Sequence, residues 1–359
     1  MDLLREVEHL IASGRLVEAS EALNRHVEKC GTSWQVAFYM ALLSAYSGDE
    51  GLALQQYNLC LEMNPSLKHV HYVQALLKQQ KNYFLIQFLQ TVWAEYKKIR
   101  QADSMIISYP KCGRTWLRLL ISRVLDEKFS LNVNEKDALE LEMYPDFNDR
   151  IPRIVFTHDD HPHWIRHESI SSDKSAYLGK NVIFLMRDPR DVVVSYYFQY
   201  TLRGDKKNAL DFDFDKTIDE FAFHNIGGIP SIVKFYNAWC ENGLNPNHVL
   251  FLSYEDLHAK TSESLHLALN HLGIAEVENA YIDNAVNFCQ FEKMRSYEES
   301  NKFNYRLSTR EGADPNAYKT RRGKIGGFRD YLSEETIDKI NNYLRRYLSD
   351  KLSIYKQAA

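Results

Sequence analysis

Four short apolar runs in the middle of the chain differ from the helical alternation of apolar and polar residues around them. The runs are SMIIS at 104–108, RIVFTH at 153–158, NVIFLM at 181–186 and HVLFLSY at 248–254. A continuous apolar run of this length is typical of a strand that is buried on both faces, as in a parallel sheet. The four runs therefore predict the strands of one parallel sheet.

Helical patterns follow the first and the last of these runs. The residues predicted to share one helix face are Trp116, Leu119, Leu120 and Val124 after the first run, and Leu265, Ala268, Leu269 and Leu272 after the last. Gly273 then provides a helix stop. Alternating strands and helices predict an α/β doubly wound fold, with ligands at the carboxyl ends of the strands.

The chain before the first strand has a helical apolar pattern that repeats. SGRLVEASEAL at 13–23 matches SGDEGLALQQY at 47–57. The matching pairs are 34 residues apart: Gly14 and Gly48, Ala19 and Ala53, Leu23 and Tyr57. That period is typical of tetratricopeptide repeats, which are stacked helix pairs with small residues at the close contacts. Asn64 and Pro65 end the second unit, and Asn82 to Lys97 predict a third that is either a degenerate capping pair or a helix packed on the next domain.

These patterns predict two domains, a small all-α helical-repeat domain over 1–97 and an α/β domain over 98–359. Stacked repeats expose a concave face suited to protein contacts, so the first domain is interpreted either as a site for a protein partner or as structural support docked on the second domain. A plain helical bundle with accidental periodicity is the alternative for the first domain.

Composition limits the classes of function. Hydrophobic residues make up 45% of the chain and charged residues 26%, as in ordinary globular proteins. The formal net charge of -4 argues against a nucleic-acid binder. The chain lacks an apolar run of about 18 residues and starts with the charged stretch MDLLREVEHL, so neither a membrane span nor a secretory signal is expected. Five scattered cysteines without CxxC pairs favour reduced thiols in the cytoplasm.

Three stretches carry groups that bind anions. In YPKCGRTW at 109–116, Lys111, Thr115, the loop amides and the following helix N-terminus would face one anion. The stretch does not fit the GxxxxGK[ST] pattern of nucleoside-triphosphate loops, so ATP is not expected. In LMRDPRDVVVSYYFQY at 185–200, Arg187 and Ser195 supply donors for a phosphate. In KTRRGKIGGF at 319–328, two arginines flank a glycine-rich turn. If each stretch is considered by itself, the alternatives are a structural ion pair of Arg187 with Asp188 and a solvated basic surface.

Together and in this order, the three stretches resemble the PAPS-dependent sulfotransferases of the cytosolic small-molecule type over roughly residues 104–350. PAPS is 3′-phosphoadenosine 5′-phosphosulfate. The family's loop YPKSGTTW resembles YPKCGRTW, with Cys112 and Arg114 as departures. Its arginine and serine before and within DVxVSYY match Arg187 and Ser195. The late RKGxxGDW element resembles RRGKIGGF, the tyrosine of YED resembles Tyr254, and FEKM at 291–294 resembles a further stretch near the cofactor.

The resemblance implies a P-loop-like sulfotransferase domain with a parallel sheet, PAPS as co-substrate, PAP as product and no metal. The implied cofactor-binding residues are Lys111, Cys112, Gly113, Arg114, Thr115, Trp116, Arg187, Ser195, Tyr254, Phe291, Met294, Arg321, Arg322 and Gly323. Trp116 is expected to stack on the adenine. Cys112 stands in a serine position and is expected to be a small loop residue rather than a nucleophile.

The resemblance also implies the catalytic residues. The family's base follows a strand in a KTH sequence, and the matching stretch VFTHDD implies that His158 is the base. Lys111 is expected to neutralise the charge on the leaving phosphate. Phe156 replaces the family's lysine, so Lys111 acts alone or Arg114 substitutes. The predicted reaction transfers a sulfonate from PAPS to a hydroxyl or amine of a small-molecule acceptor. A protein or peptide acceptor and an inactive interaction protein are the alternatives.

The stretch THDDHPHWIRH at 157–167 contains four histidines and two aspartates. In one interpretation His158 is the base and the other histidines face the solvent or the acceptor. The alternative is a metal site, because these residue types are also ligands for zinc or iron. Asp159 and Asp160 would raise the negative potential beside an anionic cofactor, which predicts a cationic acceptor. Capping of the next turn, or pairing with Arg166, is the other interpretation of these aspartates.

Overall fold

The computed structural model describes residues 3–64, 82–159, 161–203, 216–241, 248–310 and 312–357. The chain divides into two compact units, Met1–Arg100 and Gln101–Ala359. Within the described ranges, no helix combines the length and hydrophobicity that a bilayer span requires.

The first unit consists of helices. They are α1 (Leu3–Ala12), α2 (Leu16–Cys30), α3 (Trp34–Tyr46), α4 (Glu50–Met63) and α5 (Asn82–Gln101). Hydroxyl and carboxylate caps start two of them, since Ser33 accepts from the Val36 amide and Asp49 accepts from the Leu52 amide. Asn64 ends α4 and donates its backbone N–H to Cys60. Pro65, the other half of the predicted stop, lies outside the described residues.

Matching positions of the two sequence repeats have matching structural roles. Gly14 and Gly48 both adopt left-handed backbone conformations before the second helix of their pair, with φ of 74° and 84°. The side chains 34 residues apart are buried in both pairs: Ala19, Ala53, Leu23 and Tyr57. The period therefore describes two similar helix pairs, and their assignment to the tetratricopeptide class stays a prediction.

An aromatic cluster packs α5 against α1 and α3. The Trp93 ring stacks on Phe38 at 5.2 Å between centroids and on Tyr96 at 5.5 Å. Glu8 of α1 accepts hydrogen bonds from Trp93 Nε1 and the Tyr39 hydroxyl, both at 2.7 Å. The region predicted as a degenerate third repeat is thus one long helix that completes the core of the first unit.

The second unit is built on a parallel sheet of four described strands. They are β1 (Ser104–Ser108), β2 (Ile154–Thr157), β3 (Asn181–Met186) and β4 (Val249–Ser253), in the order β2-β1-β3-β4. The register places Ser104 opposite both Ile154 and Asn181, and Val182 opposite Val249. Each predicted run contains one of these strands, and the second and fourth runs are one residue longer at each end.

Helices surround the sheet and connect its strands. They are α6 (Arg114–Phe129), α7 (Pro189–Arg203), α8 (Ile218–Ala222), α9 (Ile229–Cys240), α10 (Tyr254–Ala259), α11 (Thr261–His271), α12 (Asn279–Phe288), α13 (Phe291–Glu299) and α14 (Glu334–Tyr347). Short 3₁₀ helices span Leu141–Asp146, His167–Ser169, Ser175–Tyr177, Tyr305–Leu307, Pro315–Ala317, Gly327–Asp330 and Asp350–Tyr355. The arrangement is the α/β fold that the strand–helix alternation predicts, preceded by the additional N-terminal helices.

The predicted buried face matches the structure in α11 but is too narrow in α6. The predicted face of α11 is buried, and Ile274 N–H donates to Leu269 O beyond the left-handed Gly273, which is a Schellman stop. Helix α6 is buried over a wider arc than the single face expected, from Leu117 to Ser122, while Trp116 is only half-buried.

All four strands point their carboxyl ends at one edge of the sheet, because the sheet is parallel. The opening loop follows β1, His158 follows β2, Arg187 follows β3 and Tyr254 follows β4. The fold thus brings the opening loop and three further predicted site residues to the edge where parallel sheets bind ligands.

Candidate active site

The loop between β1 and α6 contains two residues with left-handed backbone conformations. Lys111 has a φ of 74° and Gly113 a φ of 90°. A Cβ on Gly113 would lie 2.6 Å from Cδ2 of Tyr254, so a side chain there would displace the tyrosine. Left-handed residues in such a loop turn successive backbone N–H groups toward one side, ahead of the N-terminus of α6. The loop therefore has the backbone geometry of an anion site.

Side chains of this loop take two different directions. Lys111 is half-buried and its Nζ donates to Gln199 Oε1 of α7 at 3.0 Å. Cys112 is buried, with its Sγ 3.4 Å from the Tyr236 hydroxyl oxygen. Burial raises the pKa of the Cys112 thiol to about 12, which keeps it protonated. A protonated buried thiol is a packing group rather than a nucleophile. Thr115 is the second residue of α6 and is half-buried.

Arg187 connects the opening loop to the loop that carries Arg321. Its Nη1 donates to Lys111 O at 3.3 Å and its Nη2 donates to Lys324 O at 3.0 Å. The guanidinium also lies 3.5 Å from the Asp191 carboxylate and 4.4 Å from the Tyr254 ring centroid. Within the described residues, its buried Nε has no hydrogen-bond partner.

Arg321 brings a second cation to the same place. Its guanidinium carbon lies 4.9 Å from the ring centroids of both Phe198 and Tyr331. Its buried Nε and Nη1 have no partner among the described residues. Burial lowers the pKa of Arg321, and the positive charge of Arg187 adds to that effect. Two neighbouring guanidinium groups with unused donors are chemically suited to a doubly charged anion.

The remaining predicted phosphate residues differ in burial. Ser195 is buried on α7, eight residues after Arg187. Arg322 is exposed and pairs with Asp330 at 2.7 Å. Gly323 has a φ of 62°, and a Cβ there would lie 2.8 Å from Cδ2 of Phe291.

Aromatic side chains line the side of the site next to Gly113. The Trp116 and Tyr254 rings are 5.8 Å apart at 64°, and the Tyr254 hydroxyl donates to Gly323 O at 3.4 Å. Met294 is buried on α13, whereas Phe291 at its start is 38% exposed. The structure thus groups Trp116, Tyr254 and Phe291 through their shared contacts with Gly113 and Gly323.

Two carboxylates that the sequence analysis missed hold residues 319–328, the late loop, in place. Asp191 on α7 accepts from the backbone N–H groups of Gly326 at 2.8 Å and Phe328 at 3.0 Å. Glu298 on α13 is fully buried and accepts from the backbone N–H groups of Lys319 at 2.7 Å and Thr320 at 2.8 Å. The sequence shows an acidic residue inside each helix, but only the fold shows which backbone N–H groups donate to it.

His158 is held in one tautomer by β1. Its Nδ1 lies 2.7 Å from Ser108 O. Because a carbonyl oxygen only accepts, Nδ1 carries the proton and Nε2 keeps its lone pair. Burial lowers the pKa of His158 well below its ordinary value, and the charges of Arg114 and His163 lower it further. The imidazole is therefore neutral near pH 7 and able to accept a proton at Nε2.

The charge of Asp159 is neutralised inside the protein, which removes one of the two charges on which the expected cationic acceptor rests. Its carboxylate is buried and pairs with Lys174 at 2.8 Å. It also accepts from the Tyr177 hydroxyl at 2.7 Å and from Trp239 Nε1 at 2.9 Å. The partner is thus Lys174 rather than Arg166, and the negative charge is compensated inside the protein. Asp160 lies outside the described residues.

Two further histidines of this stretch, His161 and His163, pack on aromatic rings. The His161 ring stacks on Trp164 at 4.5 Å and 6°, and the buried His163 ring lies 5.2 Å from His158. In the part of the chain that the structure describes, no three His, Cys, Asp or Glu side chains are grouped as metal ligands.

Phe156 stands at the position of the family's lysine, and its ring is covered by the guanidinium of Arg118. The guanidinium carbon of Arg118 lies 4.0 Å from the Phe156 ring centroid, and Arg118 Nη1 donates to Leu139 O at 3.0 Å. Phe156 and His158 are two residues apart at the end of β2, so they point to the same face. Arg118 therefore lies on the His158 side of the sheet edge.

A parallel α/β sheet, a first loop with the backbone geometry of an anion site, two arginines with unused buried donors and a neutral histidine are typical of a group-transfer enzyme that acts on an anionic donor. The chain matches the sulfotransferase domain over residues 101–352 and belongs to that family, whose enzymes use PAPS as co-substrate.

Individual relatives are distant but match most of their length. Cytosolic sulfotransferase 12 of Arabidopsis thaliana is 27% identical over 322 residues, covering 83% of this chain and 93% of that protein. Flavonol 3-sulfotransferase of Flaveria bidentis is 25% identical over 268 residues, covering 69% and 82%. Amine sulfotransferase of Oryctolagus cuniculus is 22% identical over 267 residues, covering 70% and 83%.

Proposed function

We propose that the protein transfers the sulfonate group of PAPS to a hydroxyl or amine of a small-molecule acceptor. The observation that carries this proposal is the pair of guanidinium groups, Arg187 and Arg321, whose buried N–H groups have no partner among the described residues. The hydrogen bond from Arg187 to the Lys111 carbonyl places the pair beside the opening loop, which supports a site for a donor with two anionic ends. Membership of the sulfotransferase family supports the same reaction.

The proposed residue roles follow the three parts of the cofactor. Arg187, Ser195, Arg321, Arg322 and Gly323 bind the 3′-phosphate. The loop residues Lys111, Cys112, Gly113, Arg114 and Thr115 bind the 5′-phosphosulfate, with Cys112 contributing its backbone. Trp116, Tyr254, Phe291 and Met294 contact the adenine. Charge-assisted hydrogen bonds from guanidinium and amide groups supply most of the affinity in this arrangement.

Transfer requires one proton acceptor and one charge stabiliser. The acceptor oxygen or nitrogen forms a bond to sulfur while the bond from sulfur to the 5′-phosphate oxygen breaks, which leaves PAP. His158 Nε2 takes the proton from the acceptor, and the Ser108 carbonyl keeps the ring oriented. Lys111 and the loop amides stabilise the charge that develops on the leaving phosphate.

Relatives named for a flavonol and an amine support a small acceptor with either nucleophile. Relatives named cytosolic support action in the cytoplasm. We further propose that the helix pairs of residues 1–97 are tetratricopeptide-like and bind a protein partner, which the repeated Gly14 and Gly48 turns support. A peptide acceptor captured there, or an inactive scaffold, is the competing function.

Two measurements on the purified protein test the proposal. PAP should raise the melting temperature in proportion to the logarithm of its concentration, because it binds the native state. Incubation with PAPS and a panel of alcohols, phenols and amines should yield a sulfonated product and PAP. Absence of any PAP-dependent stabilisation would exclude the enzyme and leave the scaffold.

A further inference from the structure

The backbone is fixed on both sides of His158. Thr157, the residue before it, ends β2 and pairs with Ile107 of β1. Asp159, the residue after it, donates its backbone N–H back to Thr157 Oγ1 at 3.0 Å. His158 therefore lies between two residues that are bonded to each other, in the manner of a local turn closed by a hydroxyl.

Asp159 adopts a backbone conformation that few residues other than glycine take. Its φ is 48°, which is in the left-handed region. Non-glycine residues with such conformations are concentrated at functional sites, and they persist where the surrounding contacts enforce them. The contacts that enforce this conformation are those of the Asp159 carboxylate.

Three donors from two other segments hold that carboxylate. Tyr177 donates its hydroxyl to Oδ1 at 2.7 Å, and Trp239 donates Nε1–H to Oδ2 at 2.9 Å. Lys174 Nζ lies 2.8 Å from Oδ2, and the side chains of Asp159 and Lys174 are only 1% and 2% exposed. Each carboxylate oxygen thus has a buried donor, and a rotation of Asp159 would break these contacts together.

The donors belong to the core of the second unit. The Trp239 ring on α9 is fully buried and stacks on Phe184 of β3 at 5.6 Å and 18°. The Lys174 ammonium lies 5.3 Å from the centroid of the same tryptophan ring and also donates to Ser171 O at 2.6 Å. The network therefore connects the residue next to His158 to the centre of the sheet.

Stability alone does not account for a buried ion pair of this kind. The desolvation of two charges offsets most of the attraction between them, so apolar side chains of similar size would stabilise the fold about as well. What the pair provides beyond stability is a fixed position for Asp159 and, through the adjoining peptide bond, for His158.

We propose that Asp159 is a positioning residue for His158, held in place by its three donors. This inference rests on the proposed sulfotransferase function. The Asp159 network fixes the backbone of the base, while the Ser108 carbonyl orients its ring through the 2.7 Å contact with Nδ1. Nε2 is thereby kept at the one place from which it takes the proton of the acceptor.

Tyr177→Phe tests the proposal because it removes one donor and leaves the ion pair of Asp159 intact. The full chain is loaded with PAPS and mixed with the alcohol, phenol or amine that the wild-type chain sulfonates fastest. We expect the single-turnover rate of sulfonate transfer to fall about tenfold, a part of the ~100-fold that a misplacement of about 1 Å can cost. The affinity for PAP should be unchanged.

Tyr144→Phe is the matched control for this variant. It also removes a fully buried tyrosine hydroxyl from the second unit, one that is bonded to Ser122 and to the Ala138 carbonyl. The two variants should lose similar stability, but only Tyr177→Phe should lose transfer rate. Asp159→Asn also removes the ion pair with Lys174, so in the folded variant the loss of rate should approach ~100-fold.

A second readout concerns His158 itself and needs no acceptor. Long-range proton–nitrogen NMR spectra of protein with isotope-labelled histidine distinguish the two neutral tautomers. The signals of His158, identified by their loss in His158→Ala, should show the Nδ1–H tautomer in the wild type and in Tyr144→Phe. In Tyr177→Phe they should shift toward an average of both tautomers, because the ring no longer keeps its distance from Ser108 O. A residue that contributes only stability would leave the tautomer unchanged.

A transfer rate in Tyr177→Phe equal to that of Tyr144→Phe overturns the inference. So does a His158 tautomer that is the same in Tyr177→Phe and the wild type, or a loss of PAP affinity in that variant as large as its loss of rate. If the wild-type chain neither binds PAP nor transfers sulfonate, the proposed function fails instead. The tautomer spectra then still decide whether the Asp159 network holds His158, so the two failures are distinguishable.

Discussion

At the scale of single residues, the guanidinium of Arg187 joins three segments that are far apart in the chain. It donates to Lys111 O in the opening loop and to Lys324 O in the late loop, and it contacts Asp191 on its own helix. A cation that bonds to two carbonyls ties the two loops together. Arg187 therefore fixes the loop geometry, and binding of the 3′-phosphate is the further role proposed for it.

Replacing Arg187 with alanine should weaken PAP binding by about 1.5–3 kcal/mol, the range for hydrogen bonds to charged groups. Isothermal titration with PAP measures the change. Arg345→Ala is the control, because it removes an exposed arginine of α14 that lies outside the site. Unchanged affinity in Arg187→Ala would refute the assignment of the 3′-phosphate site.

His158 should remain an active base below the pH at which an ordinary histidine becomes protonated. Its pKa is lowered well below 6.5, by burial first and by Arg114 and His163 next, so protonation and loss of activity occur only on the acid side of that value. We expect kcat/KM to stay level as the pH falls through 6.5. His158→Ala should abolish turnover and leave PAP affinity nearly intact.

The pH profile of kcat/KM and a PAP titration check both statements. His266→Ala, which removes a histidine on α11 bonded to Asn279, is the control. An inflection at or above pH 6.5 in the wild-type profile would contradict the neutral base, and an active His158→Ala enzyme would assign the proton transfer to another group.

At the scale of secondary structure elements, local pattern predicted most of the second unit. Strands buried on both faces leave continuous apolar runs, and each of the four runs contains a strand. The left-handed Gly273 after α11 was likewise visible, because a helix stop depends on neighbouring residues alone. The site residues could be proposed only because the family motifs are also local stretches of sequence.

Contacts between distant segments could not be predicted in this way. The acids at 159 and 160 suggested a negative site, yet the partners of Asp159 are Lys174, Tyr177 and Trp239. Phe156 looked like a lost cation, yet Arg118 from another element covers its ring. In both cases the charge of the site depends on tertiary packing that spacing along the chain does not encode.

Helix α13 positions the late loop through one carboxylate. Glu298 receives the amides of Lys319 and Thr320, the Thr320 hydroxyl and the Arg203 guanidinium. Glu298→Gln removes the charge and replaces one acceptor oxygen by a donor, so at least one buried donor loses its partner. We expect a loss of about 1–3 kcal/mol in the free energy of unfolding.

The same variant should also weaken PAP binding, because Arg321 directly follows the fixed Thr320. Chemical denaturation and PAP titration at a temperature where the variant is folded measure the two effects separately. Glu299→Gln is the matched control, since Glu299 is the next residue, is exposed and pairs with Arg295. Unchanged PAP affinity in Glu298→Gln would restrict Glu298 to a purely structural role.

At the scale of the whole molecule, net charge says little about the site. The chain carries a formal net charge of -4, yet the positive charge of Arg114 acts on both Arg118 and Lys319, and that of Lys111 acts on Lys319. Local clusters of one sign determine which ligands a cleft attracts. An acidic protein is thus compatible with the anionic donor PAPS.

The division into two units leads to the last prediction. Every residue assigned to the cofactor or to proton transfer lies in Gln101–Ala359, and the first unit has its own core around Trp93. A shortened protein of residues 101–359 should therefore bind PAP and turn over a small acceptor with kcat/KM close to that of the full chain. Thermal shift with PAP and a sulfonate-transfer assay measure both, with the full chain as control. A shortened protein that is folded but inactive would give the helices a catalytic role, whereas an insoluble one would give them a structural role. Full activity would leave partner binding as their function, in keeping with stacked helix pairs.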